Sequence, residues 1–279
     1  LSNYLFYKGH VLMASIGFVG GGNMAEALIK GIIAGGVYSA GDVFVSDVRA
    51  QRLAFLAEEY GVGVAEDNSK LAGQVDVLVL SVKPQNMTEV LDQIKDSVKS
   101  GMLVISIAAG IRVDNISSVL GEVAIVRVMP NTPALIGEGA SALFANDKAR
   151  DLLDTAMGIF SVVGRAVVVE DEGLIDAVTA VSGSGPAYYF LLMEEMIKSA
   201  VNLGLDENVA KELVLQTAKG AALLALEADG RGEGPGELRR KVTSPGGTTE
   251  AALNVLSEGG FGDLVNSAIQ RACERSKEF

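Results

Sequence analysis

The chain has 279 residues, 49% hydrophobic and 21% charged, enough apolar material for one large or two medium globular domains. Its formal net charge of -12 excludes the basic surface that a nucleic-acid partner requires, and no apolar run approaches the roughly 20 residues of a membrane helix. The single cysteine, Cys273, excludes a disulfide framework and a thiolate metal cluster, so we expect no metal, no membrane and a reducing, cytoplasmic setting.

Residues 1–12, LSNYLFYKGHVL, share no pattern with the rest of the chain and read as an expression-tag remnant or extension. They carry His10, the only histidine, so the working protein is expected to have none. From Met13 strands and helices alternate. SIGFVG (15–20) is a strand before a glycine cluster, and NMAEALIKGIIAGG (23–36) has helical spacing. DVFVSD (42–47) is a strand, AQRLAFLAEEYG (50–61) a helix ending at Gly61, and VDVLVLSV (75–82) a strand buried on both faces. QNMTEVLDQIKDSVK (85–99) is a helix, MLVISIAAG (102–110) a buried strand, and VAIVRVMPNTPAL (123–135) a strand stopped by prolines. ASALFAN (140–146) and RAVVVED (165–171) are strands flanking the helix DKARDLLDTAMGIFSVVG (147–164). This alternation predicts a mostly parallel, doubly wound α/β sheet over residues 13–170.

No strand candidate follows Glu170. EGLIDAVTAV (172–181), AYYFLLMEEMIKSAVNLG (187–204), DENVAKELVLQTAKGAALLALEA (206–228), TEAALNVLSEG (249–259) and GDLVNSAIQRACERSKEF (262–279) have helical period, and DGRGEGPGELRR (229–240) reads as a glycine-rich break. Residues 171–279 therefore form an all-helical domain. Its long helices are apolar around much of their circumference, which predicts a homodimer through this half.

Two glycine loops carry the chemistry. Gly20-Gly21-Gly22-Asn23-Met24-Ala25 fits G-x-G-x-x-A between a strand and a helix, the context of a dinucleotide pyrophosphate site. A plain strand-to-helix turn is the bland alternative. Asp47 closes the second strand where an acidic residue binds the ribose 2′-hydroxyl of NAD; Arg49 and Arg52 follow and either could pair with the 2′-phosphate of NADP, while Asp47 could equally cap the next helix. Ser81-Val82-Lys83-Pro84, Ala108-Ala109-Gly110 and Met129-Pro130-Asn131-Thr132-Pro133 lie at further strand ends and point to the same crevice. The second loop, VTSPGGTTEAAL (242–253), lacks a phosphate-loop lysine and places Glu250 in the first helical turn. A single-charge carboxylate suits it better than a phosphate, with Gly246 and Gly247 aiming the N–H groups of Thr248 and Thr249 at that anion. Capping by Thr248 explains the threonine but not the preceding Pro-Gly-Gly.

A hydride acceptor that needs little proton help suits a body without histidine, since a hydroxyacid substrate needs a general base and only Lys83 and Lys198 remain as candidates. A cyclic imine is such an acceptor. In SGSGPAYY (182–189), Gly183, Gly185 and Pro186 read as packing and helix-start residues, with Ser184 facing a substrate pocket as the other reading. Tyr188 and Tyr189 read as buried or interfacial, and Cys273 as a bystander.

The segments GFVGGGNMAEAL, SVKPQ, RVMPNTPALIGEGASAL, DAVTAVSGSGPAYYF and VTSPGGTTEAALNVLSEGGF, in order from Met13 to the C-terminus, together resemble the pyrroline-5-carboxylate reductase family. The resemblance implies a Rossmann-like dinucleotide domain, a helical dimerisation domain, and reduction of L-1-pyrroline-5-carboxylate to L-proline with NADPH or NADH, NADPH being favoured. It also implies dimers that can assemble into decamers. It places Val19, Gly20, Gly21, Gly22, Asn23 and Met24 on the pyrophosphate, with Asp47 and Arg49 near the adenosine ribose and Asn68 on the cofactor. Val82, Lys83, Pro84, Ala109 and Gly110 then line the nicotinamide half. Glu172 matches a position that approaches both cofactor and substrate, and Gly246, Gly247, Thr248 and Thr249 form the substrate clamp, with Thr249 as the catalytic hydroxyl. Arg240 and Lys241 depart from the acidic or amide residue common before the clamp and are expected to add attraction for a carboxylate.

Two rivals remain. A β-hydroxyacid dehydrogenase needs a catalytic lysine on the inter-domain helix, where Lys198 alone is available. A nucleotide sensor without turnover has no use for the second loop.

Overall fold

The computed structural model describes residues 14–278. The expectations for residues 1–12, His10 included, lie outside the described residues. The chain forms two compact units: residues 14–184 with 272–278, and residues 185–271.

The first unit is built on one eight-stranded sheet. Its strands are β1 (Ile16–Val19), β2 (Val43–Ser46), β3 (Gly63–Val64), β4 (Val77–Leu80), β5 (Leu103–Ser106), β6 (Ala124–Met129), β7 (Gly139–Ala145) and β8 (Gly164–Val168), in the order β3-β2-β1-β4-β5-β6-β7-β8. Pairing is parallel except between β6 and β7. The expected mostly parallel, doubly wound sheet is therefore present. Because β1 lies between β2 and β4, the crossovers leave it in opposite directions, and the carboxyl ends of β1 and β4 form the switch point at which such sheets bind ligands.

Strand alternation divides the core into two layers. Val77, Val79, Leu103 and Ile105 join Ile16 and Phe18 on one face, against α1 (Asn23–Ala34) and α6 (Leu153–Ser161). Leu78, Leu80 and Val104 face the other layer, with α4 (Met87–Ile94). Helix α1 is stamped by Ala25, Leu28, Ile29 and Ile32, all buried at the spacing of one helical face. Helix α2 (Ala50–Tyr60) ends at Gly61 as expected, and Gly61 takes the left-handed φ of 70°.

Three short elements were not predicted: β3, α3 (Asn68–Gln74) and α5 (Val113–Leu120). Their few residues carry too little periodicity to announce themselves; α3 starts instead on a side-chain cap, with Asp67 accepting the Lys70 N–H. The helix expected over 147–164 begins as a 3₁₀ segment, Asp147–Leu152, before α6.

Beyond β8 the described residues hold no strand, as predicted. Helix α7 (Leu174–Val178) runs into a π-helical turn, Thr179–Gly183, and both belong to the sheet unit. The boundary expected after residue 170 marks the end of the sheet, whereas compactness divides the chain after Ser184, because α7 packs on β6 and β7.

The second unit holds α8 (Gly185–Asn202), α9 (Glu207–Asp229), α10 (Pro235–Lys241), α11 (Thr248–Glu258) and most of α12 (Phe261–Ser276). Helix α10 lies in the stretch predicted as a break; Pro235 occupies its first turn, where a missing N–H costs nothing. Helices α8 and α9 pack together yet leave Tyr189, Phe190, Leu191, Leu215 and Leu226 more than half exposed. An apolar surface of that kind marks an association face. Among the described residues, no helix is long and apolar enough to cross a membrane.

Candidate active site

The first glycine loop is pinned from three sides. Gly20 adopts φ 92°, and a Cβ there would lie 2.8 Å from the Ser81 carbonyl oxygen, so only glycine fits. Its N–H donates to the Ser46 carbonyl at 2.8 Å, and the Ser81 hydroxyl donates to the carbonyls of Val19 and Gly20 at 2.9 and 2.5 Å. The carboxyl ends of β1, β2 and β4 are thereby locked into one edge. Gly22 is different: a Cβ built on it would meet nothing within 4 Å, and it precedes α1 with no side-chain cap. Open space in front of an uncapped helix start is what a pyrophosphate needs, so Gly22, Asn23 and Met24 fit a dinucleotide.

Beside this edge lies the adenosine-side cluster. Asp47 Oδ2 accepts the Gly21 N–H at 2.8 Å, and Asp47 accepts Arg49 Nε–H and Nη2–H at 2.9 and 3.0 Å. Burial pushes the Asp47 carboxyl up, but the Arg49 guanidinium and the N–H groups of Arg49 and Gly21 outweigh it and hold the group at about 2. The capping alternative for Asp47 does not apply, because Arg49 is the residue that precedes α2 and α2 has no side-chain cap. Arg49 stays 61% exposed and can turn outward, whereas Arg52 is committed: its Nε donates to the Gly21 carbonyl at 2.5 Å and its Nη2 pairs with Glu26. Of the two arginines weighed for a 2′-phosphate, Arg49, paired with Asp47, is the more exposed one. Tyr60 also donates to Glu26, at 2.8 Å; burial and then that carboxylate push the phenol up to about 12. Asn68 opens α3, accepting the Ser46 hydroxyl at 2.7 Å and donating to Gln93 at 2.6 Å.

On the other side of the switch point, Val82 packs beside Gly20, Pro84 opens a 3₁₀ turn after Lys83, and Ala109 leads into Gly110 at φ 75°. Asn131 pins the π turn, its amide donating to the Ser182 carbonyl at 3.0 Å and its Oδ1 accepting the Ala140 N–H at 2.8 Å. Gly183 lies so close to Met129 that a Cβ would stand 2.5 Å from the thioether methyl, which agrees with a packing role for this glycine, whereas a Cβ on Gly185 would meet nothing within 4 Å.

Glu172 is 7% exposed and already engaged. Its Oε1 accepts the Val113 N–H at 2.8 Å and Arg127 Nη1–H at 2.9 Å, and its Oε2 lies 3.3 Å from Arg112. Sequence reasoning missed Arg127, Asp176 and Ser276, which complete this cluster, and Glu26. A lone arginine inside the apolar run of β6 was the available signal.

The second loop lies in the helical unit. Gly246 has φ 70° and its N–H donates to Glu250 Oε2 at 2.8 Å, so the acid that would oppose an anion is folded back onto the loop. Gly247 precedes α11 with no side-chain cap, which corrects the alternative that Thr248 caps the helix: Thr248 and Thr249 are its first two residues. Their N–H groups belong to the helix's unsatisfied set. Lys241 pairs with Glu233, and Arg240 lies 3.5 Å from Glu237. Both cations are occupied by acids of the same segment. Lys198 is held between Glu194 and Glu195, which push its ammonium well above the usual lysine value.

Residues 172–279 match the family described as pyrroline-5-carboxylate reductase dimerisation, and residues 15–110 match NADP oxidoreductase coenzyme F420-dependent. A pyrroline-5-carboxylate reductase of Pseudomonas aeruginosa is 46% identical over 266 residues, 95% of this chain and 96% of its own. One from Methanosarcina acetivorans is 43% identical, covering 95% and 97%. The chain belongs to the pyrroline-5-carboxylate reductase family. Among solved members, one from Coxiella burnetii aligns with a TM-score of 0.89 at 40% identity, covering 95% of this chain and 98% of its own. The Plasmodium falciparum pyrroline carboxylate reductase with NADP bound aligns at 0.84 and 32%, covering 95% and 97%.

Membership accounts for the layout of this reductase. The sheet unit is an NAD(P)-binding domain, and the exposed apolar helices belong to a dimerisation domain. The resemblance read from the five segments therefore holds over nearly the whole chain.

Proposed function

We propose that this protein reduces the cyclic imine L-1-pyrroline-5-carboxylate to L-proline with NADPH or NADH, the last step of proline synthesis. The observation that carries the reading is the second uncapped helix start, at Gly247, whose own acid Glu250 is turned back onto Gly246. Identity of 46% to a reductase of this name supports it.

In this reading residues 13–170 hold the dinucleotide. Val19, Gly20, Gly21, Gly22, Asn23 and Met24 receive the pyrophosphate, Asp47, Arg49 and Asn68 the adenosine ribose, and Val82, Lys83, Pro84, Ala109 and Gly110 line the nicotinamide half. NADPH is the preferred donor, because Arg49 is exposed and Asp47 is already neutralised by it. When bound, the reduced nicotinamide supplies the hydride for the imine carbon. Residues 171–279 hold the substrate and the partner subunit. Gly246 and Gly247 aim the N–H groups of Thr248 and Thr249 at the substrate carboxylate, each such charge-assisted bond contributing roughly 1.5–3 kcal/mol. The Thr249 hydroxyl hydrogen-bonds the ring nitrogen, and a proton from water or from the protonated imine completes the N–H bond. Catalysis of this kind rests on orientation and charge placement, and needs no histidine.

The protein acts in the cytoplasm as a homodimer, with decamers of five dimers as the higher assembly. Oxidation of NADPH and NADH followed by absorbance with pyrroline-5-carboxylate, beside 3-hydroxyacids with the oxidised cofactors, tests the activity. Imine-dependent oxidation is expected; its absence with both donors overturns the proposal.

A further inference from the structure

One cation grips the first glycine loop by its carbonyls. Arg52, in the first turn of α2, donates from Nε to the Gly21 carbonyl at 2.5 Å and from Nη2 to the Gly22 carbonyl at 3.4 Å. Nη2 also pairs with Glu26, in the first turn of α1, and the other oxygen of Glu26 accepts the Tyr60 hydroxyl at 2.8 Å. The guanidinium carbon stands 5.2 Å from the centre of the Phe55 ring, and Phe55 meets Tyr60 edge to face at 6.4 Å. A Cβ on Gly21 would lie 2.8 Å from Leu56 Cδ1 and 3.5 Å from Arg52 Cγ, so the bare glycine lets α2 close on the loop. The side chains of Arg52 and Glu26 are only 18% and 24% exposed.

These contacts aim the amides of the loop. In a planar trans peptide the C=O and the next residue's N–H point in opposite directions. Holding the Gly21 carbonyl on Arg52 therefore turns the Gly22 N–H the other way, and holding the Gly22 carbonyl does the same for the Asn23 N–H. Those two groups stand at the uncapped start of α1. The Gly22 carbonyl also accepts the Glu26 N–H at 2.9 Å, and the Gly21 N–H is spent on Asp47. Burial pushes the Glu26 carboxyl up, but hydrogen bonds from Arg52 and Tyr60 outweigh it and hold the group below its ordinary value. A carboxylate so placed would repel a pyrophosphate, and the Arg52 charge against it offsets that repulsion.

We propose that Arg52 is a positioning residue for dinucleotide binding: it aims the N–H groups of Gly22 and Asn23 at the pyrophosphate, serves NADPH and NADH alike, and does not bind the 2′-phosphate. The inference rests on the proposed seat of the pyrophosphate at this loop. Glu26 and Tyr60 hold the guanidinium in place. Its planar fork reaches two carbonyls and an acid at once, which the single ammonium of a lysine does not.

The test compares Arg52→Met, Arg52→Lys and Gly20→Ala with the wild type. It reads the Kd of NADPH and of NADH by fluorescence titration, and the NADPH KM and kcat with pyrroline-5-carboxylate. Arg52→Met should raise both Kd values by about tenfold, by the same factor for the two cofactors, with a matching rise in KM and kcat within about twofold at saturating NADPH. Arg52→Lys keeps the charge and the stem, and should still weaken both cofactors by about threefold. A loss confined to NADPH would make Arg52 a 2′-phosphate residue and overturns the proposal. So do unchanged affinities, wild-type binding in Arg52→Lys, or a fall in kcat with KM unchanged. If Arg52→Met does not fold, Arg52→Lys decides by the same outcomes. Gly20→Ala tests the seat itself: cofactor affinity lost there and kept in the Arg52 variants strikes only the role of Arg52, whereas affinity kept in Gly20→Ala strikes the seat and this inference with it.

Discussion

Asp47 grips Arg49 through three hydrogen bonds, two from the guanidinium and one from the backbone N–H, while one of its oxygens also accepts the N–H of Gly21 in the glycine loop. The residue that would favour NAD and the residue that would favour NADP are thus one unit. Arg49→Gln should weaken NADPH binding by roughly tenfold and leave NADH within about twofold, because only the 2′-phosphate needs the released guanidinium. Fluorescence titration with both cofactors measures this; equal losses for the two would remove Arg49 from the 2′-phosphate site.

The same pair sets a pH dependence. The folded-state value of Asp47, about 2, lies below its ordinary value. The carboxylate therefore contributes stability above the unfolded value of roughly 3.9, and that contribution is lost as pH falls from there through 2. A carbon-detected NMR titration should place its midpoint near 2 in the wild type and move it upward in Arg49→Gln. A midpoint unaffected by the substitution would mean that the backbone donors alone depress it.

Gly20→Ala combines a disfavoured φ with a clash against the Ser81 carbonyl. The left-handed conformation alone costs about 1–2 kcal/mol. Thermal unfolding should show a drop in Tm, and cofactor affinity should fall with it because the loop and the ends of β1 and β4 share these contacts. A variant with wild-type Tm and NADPH affinity would show that the loop relaxes freely.

Thr249→Ala removes the hydroxyl proposed to bond the ring nitrogen and leaves its backbone N–H in place. We expect kcat to fall by about tenfold to a hundredfold with NADPH affinity unchanged. Turnover at the wild-type rate would relieve Thr249 of that role.

Lys198 provides the contrast. Hydrogen bonds from its ammonium to Glu194 and Glu195 keep it charged, so Lys198→Gln should leave kcat within about twofold. A hundredfold loss would instead favour the base-dependent chemistry of a hydroxyacid dehydrogenase.

Much of this was legible in the chain. VDVLVLSV and MLVISIAAG announce strands covered on both faces, and they become β4 and β5, with alternate residues in opposite core layers. GGGNMA announces an uncapped helix start because glycine spacing and helical period are local properties. The short α3 and α5 escaped because their few residues give no readable period; Asp67 and Glu172 support their first turns, the second from a distant element.

By itself the sequence determined what depends on neighbours in the chain: the alternation of strands and helices, the two glycine loops, the absence of strands beyond β8, and the family. Tertiary structure decided what depends on which side chains meet. It gave Arg52 to Glu26, paired the exposed Arg49 with Asp47, folded Glu250 back onto Gly246, and buried Arg127 against Glu172. A charge's role follows from the partner it finds, and ion pairs between residues dozens of positions apart leave no periodicity to read.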